Sequence, residues 1–149
     1  MAVSTRRAAL GAILAAPLAS VPAVAADPHV ARLITARALY RRHRESEWGW
    51  SEPNFSPPDI AAGEAHGDLC RFGREACDLP LPTTMAGLGS LALTIALSEE
   101  GAYGERHTLD ADELMLVTLV HAVLSLTGTA LPADFRGFCY VSEEGTLCA

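Results

Sequence analysis

After its N-terminal segment, the chain's most apolar stretch is Met85–Ser98, MAGLGSLALTIALS, where hydroxyls recur only at Ser90, Thr94 and Ser98, four residues apart. That pattern is a thin polar stripe on an apolar rod. Pro80 and Pro82 forbid helix before it, and Thr83 or Thr84 can accept a backbone N–H as N-cap, which predicts a helix from Met85 to Ser98. Glu99, Glu100 and Gly101 mark its end. A rod apolar on nearly all sides must be surrounded, and about fourteen residues are too few to cross a bilayer. This segment is therefore expected to be the central helix of a small bundle.

The flanking patterns predict the rest. Asp27-Pro28 is a cap followed by proline at the first helical position. Val30, Leu33, Ile34, Ala38 and Tyr40 or Arg41 then follow helical spacing to about Glu47, with Arg32, Arg37, Arg42, His43 and Arg44 on the outer faces. Between Trp48 and Gly67 the prolines and glycines predict a loop, with at most one helical turn over Asp59–Glu64. A short helix is expected over Asp68–Asp78, capped by Asp68, with Leu69, Phe72 and Ala76 inward. Gly101–Thr108 reads as a loop. Asp110–Leu126 is the clearest helix: Asp110, Asp112 and Glu113 suit its positive end, and Leu114, Leu116, Val117, Leu119, Val120, Val123 and Leu124 form a wide apolar face. Gly128 and Pro132 stop it. From Phe138 to Cys148 the texture changes to two very short strands around a turn, or an irregular tail.

Composition alters this picture at the N-terminus. Half of the 149 residues are hydrophobic, enough to bury one core, but part of that content lies in an export-like segment. Arg6 and Arg7 precede an apolar run from Ala8 to Ala19, and Val24-Ala25-Ala26 offers small residues for cleavage. Residues 1–26 are thus expected to be a signal and 27–149 a single helical domain. Pro17, Ser20 and Pro22 interrupt the run and argue against a stable membrane span. Ser4 to Leu10 resembles a twin-arginine translocation signal, which implies a periplasmic or secreted product.

Charge bounds the partners. Cleavage would remove two of 11 basic residues and none of 18 acids, taking the net charge from −7 to −9 and disfavouring nucleic acid. There is no lysine. Residues 28–46 carry a net +4 and residues 47–149 a net −12, so the first helix is expected to lie against acidic neighbours or an acidic partner. Trp48, Trp50 and Phe55, with Arg41 and Arg44 beside them, either cap the open end of the bundle or form a contact surface for a ligand or an envelope protein.

Four cysteines in an exported chain, without C-x-x-C, suggest disulfides. On one continuous helix Cys70 and Cys77 are roughly 10 Å apart along the axis, too far to bridge. They would then pair with Cys139 and Cys148, stapling the tail to the short helix, and this cross-pairing is the preferred expectation. The alternative joins Cys70 to Cys77 and Cys139 to Cys148, and needs Gly73 to break the helix. Free buried thiols would instead accompany a protein that never leaves the cytoplasm.

Few residues suggest chemistry. Gly87-Leu88-Gly89-Ser90-Leu91-Ala92 has the outline of a dinucleotide-binding turn, but no strand precedes it, so its glycines are expected to let helices approach closely. No G-x-S-x-G surrounds Ser90, and no cofactor is called for. Ser90, Thr94 and Ser98 either face His121 across the bundle or bond back to the preceding turn. Glu64, His66 and Asp68 are potential metal ligands, with His43 or His107 as a fourth; the alternative is a solvated loop with Asp68 as a helix cap.

At Pro82-Thr83-Thr84-Met85-Ala86-Gly87 the chain resembles a group of small uncharacterised bacterial proteins that pair an R-R signal segment with a few helices and a P-x-T-T-x-x-G junction entering an apolar helix. The resemblance covers the signal, the first helix and residues 79–98, and implies that the Thr-Thr junction is a helix cap. It implies no activity. The chain departs from the pattern in having Met85 in place of leucine and no basic residue between 85 and 105. Together these features predict an all-α protein, a bundle of about four helices with a cysteine-containing tail, acting as an exported binding module. A metal-binding protein or metal-dependent enzyme using Glu64, His66 and Asp68 is the alternative.

Overall fold

The computed structural model describes residues 26–46, 56–104 and 108–139. Within them lie four helices: α1 (Pro28–Glu45), α2 (Pro57–Cys77), α3 (Met85–Ser98) and α4 (Ala111–Thr127). Among the described residues the only β pairing is an isolated parallel bridge between Tyr103 and Cys139. The fold is an all-α bundle. α3 touches all three other helices, α1 also packs on α2, and α4 packs on α3 alone among the helices.

The start of α1 and the start of α3 are held by one side chain. Asp27, only 7% exposed, caps α1 by accepting from His29 N at 3.0 Å. Its other oxygen accepts from Thr83 N, Thr84 N and Thr84 Oγ1 at 2.9, 3.0 and 2.9 Å. Thr84 in turn caps α3 by accepting from Gly87 N. Burial works to raise the Asp27 pKa, but these hydrogen bonds outweigh it and hold the carboxyl below its ordinary value. Gly87 is the residue that lets the carboxylate in, because a Cβ there would overlap it. Gly89 does the same elsewhere on α3, where a Cβ would strike the hydroxyls of Thr127, the last residue of α4, and of Thr129 just beyond it. The glycines of the nucleotide-like motif therefore serve close helix approach.

The hydroxyl stripe bonds to α1 and to its own helix, not to His121. Ser90 Oγ donates to the His29 carbonyl, Thr94 Oγ1 to the Ser90 carbonyl at 2.8 Å and Ser98 Oγ to the Ile95 carbonyl at 3.1 Å. His29 completes this buried corner by donating from Nε2 to the Pro80 carbonyl at 2.9 Å.

These bonds rotate α1 away from its expected face. His29, Ala36 and Tyr40 are its buried residues, whereas Ile34 is 80% and Val30 43% exposed. At the far end Tyr40 Oη donates to Glu100 Oε1 at 2.8 Å, and burial raises the pKa of that hydroxyl. Hydrogen bonds at both ends fix the helix about its axis, and two aliphatic side chains are left outside. The basic side chains meet acids as their charge implied: Arg32 with Glu75 at 3.5 Å, Arg42 with Asp68 at 2.8 Å, and Arg44 with Glu100 and Asp134 at 3.9 and 3.6 Å.

α2 is the largest departure from the sequence reading. It runs unbroken for 21 residues through Gly63, Gly67 and Gly73, where a loop and a separate short helix are expected. Ser56 and Asp59 form a reciprocal capping box with two prolines in the first turn, which starts the helix eleven residues before Asp68. Gly73 sits against α3, where a Cβ would come within 2.6 Å of Ser98 Oγ. Asp68 is consequently a mid-helix residue, not a cap.

α4 follows its prediction closely. Asp110 and Glu113 form a capping box, and Gly128 closes the helix in the left-handed conformation at φ 66°. Beyond it, Phe138 is buried, with its ring 5.6 Å from Phe135, 5.5 Å from His121 and 6.4 Å from Tyr103 between centroids. Phe138 thus anchors the start of the tail through its ring as well as through the Tyr103 bridge.

Candidate functional site

The residues singled out for chemistry do not converge. Residues 64, 66 and 68 lie on one helix, where alternate positions are roughly 200° apart, so His66 points away from Glu64 and Asp68. Asp68 is engaged by Arg42 and by Arg71 at 3.1 Å. Among the described residues no group of three His, Cys, Asp or Glu side chains is placed to hold a metal ion. The metal-site expectation is corrected accordingly; its alternate spacing requires a loop or strand, and the segment is helical.

The cysteine expectation also changes. Cys70 and Cys77 are free thiols, which overturns the cross-pairing and equally the Cys70–Cys77 alternative. The unbroken α2 keeps the two apart and aims them locally: Cys77 Sγ approaches the Gly73 carbonyl, and Cys70 Sγ the Ser98 carbonyl, both at 3.8 Å. Cys139 is disulfide-bonded, and its partner lies outside the described residues. No staple reaches α2.

Cys70 Sγ lies 3.4 Å from His66 Nε2, one turn earlier, and the His66 ring is 5.1 Å from that of His43 on α1. This is the one thiol–imidazole contact among the described residues. Its electrostatics are wrong for a nucleophile. Burial and nearby Glu99 push the Cys70 thiol up, where an activated cysteine has a depressed pKa. Burial and the His66 ring push His43 down, which favours its neutral form. The cluster is a packed junction of α1 and α2.

The expected contact surface divides. Arg41 is exposed, Arg44 is committed to Glu100 and Asp134, and Trp48, Trp50 and Phe55 lie outside the described residues.

What the sequence reading missed is on α4. Its inner face is Val120 and Leu124, flanked by Leu116, Val117 and Val123. On the opposite side Met115 is 65%, Leu119 61% and Leu126 77% exposed, with exposed Ala122 among them. These residues are spaced four, three and four apart, the seam spacing of a paired helix, within a sector of roughly 60°. No charged residue occurs from Leu114 to Thr127. Leu119 and Leu114, expected in the core, are therefore on or beside an open stripe. The signal was legible: α4's apolar residues span more than half its circumference, and a single neighbour cannot cover that width. Beside the stripe an open hollow of about 360 Å³ is lined by His121, Leu124, Ser125 and Gly128–Leu131.

No family model matches this chain, and no curated protein or solved structure matches it either.

Proposed function

We propose that this chain is a small exported interaction module of the cell envelope, binding a protein through the outer face of α4. The observation that carries the reading is the charge-free stripe Met115, Leu119, Ala122 and Leu126 on a helix with one helical neighbour among the described residues. Three large aliphatic side chains in register on one exposed face mark a surface that another element covers. The reading is further supported by the export-like segment 1–26. Arg41, Trp48, Trp50 and Phe55 stay within the same reading as candidate contact residues.

The test is site-specific photo-crosslinking in the native host, with a photoreactive residue at position 119 and, as a control, at exposed Arg74 on α2. A discrete envelope-fraction adduct from position 119 and none from position 74 is expected. No adduct at 119, or the same smear from both positions, would overturn the reading.

A further inference from the structure

We draw no further inference here: the strongest candidate, the exposed apolar stripe Met115, Leu119, Ala122 and Leu126 on the outer face of α4, is the surface on which the proposed function already rests, and nothing in the structure shows what covers it.

Discussion

α3 and α4 are both built from long charge-free runs, yet one is enclosed and the other is half bare. The difference lies in side-chain size. α3 carries Gly87, Gly89, Ser90, Ala92 and Ala96, all buried, so α1, α2 and α4 can approach it from different sides. α4 presents leucine, methionine and valine around its circumference, and only Val120 and Leu124 are buried. Small residues let a short helix be surrounded, whereas a ring of large ones asks for more neighbours than four helices supply.

The sharpest way to break this contrast is a pair of leucine truncations. Leu93, fully buried on α3, should cost about 3 kcal/mol as Leu93→Ala, and exposed Leu119 on α4 less than about 0.5 kcal/mol as Leu119→Ala, by denaturant unfolding at a concentration where the chain is monomeric. Equal losses would mean that α4's outer face is already covered.

A smaller effect tests whether the glycines of α3 are contact surfaces. Gly87→Ala should lower the melting temperature by roughly 5–10 °C, because the new methyl overlaps Asp27. Gly63→Ala, in an exposed part of α2 with nothing within 4 Å, should instead stabilise by about 0.8 kcal/mol through helix propensity. If both changes stabilise, the glycines of α3 are there for another reason.

The smallest expected effect separates how the two helices begin. α4 is capped by its own exposed Asp110–Glu113 box, whereas α3 depends on a carboxylate from another helix. Since folding lowers the Asp27 pKa, its contribution is present above the ordinary value of 3.8 and is lost as pH falls through the folded value. Unfolding midpoints of the native chain should drop below about pH 4 more steeply than those of Asp27→Asn. Identical slopes would place the acid sensitivity elsewhere.

Where local rules agreed, the fold was legible. Asp27-Pro28, Thr84 and Asp110 with Gly128 are cap signals whose meaning needs no tertiary information, and α1, α3 and α4 begin where those signals stand. α2 was not legible because its three glycines argue against a helix that the Ser56–Asp59 box and packing against α1 and α3 nevertheless stabilise. The rotation of α1 was hidden for another reason. Its inner face is chosen by hydrogen bonds to Pro80, Ser90 and Glu100, partners between 51 and 61 residues away in sequence, and hydrophobic periodicity carries no record of them. The α4 stripe could be read as apolar from sequence, but its exposure depends on how many neighbours arrive.

Asp27 stands immediately after the Val-Ala-Ala segment at which a signal would be cut. The corner joining α1 to α3 is therefore fastened by the residue that would lead the trimmed chain. Were the chain cut there, a protease or exopeptidase erring by a single residue would release a product lacking the carboxylate that both helices share.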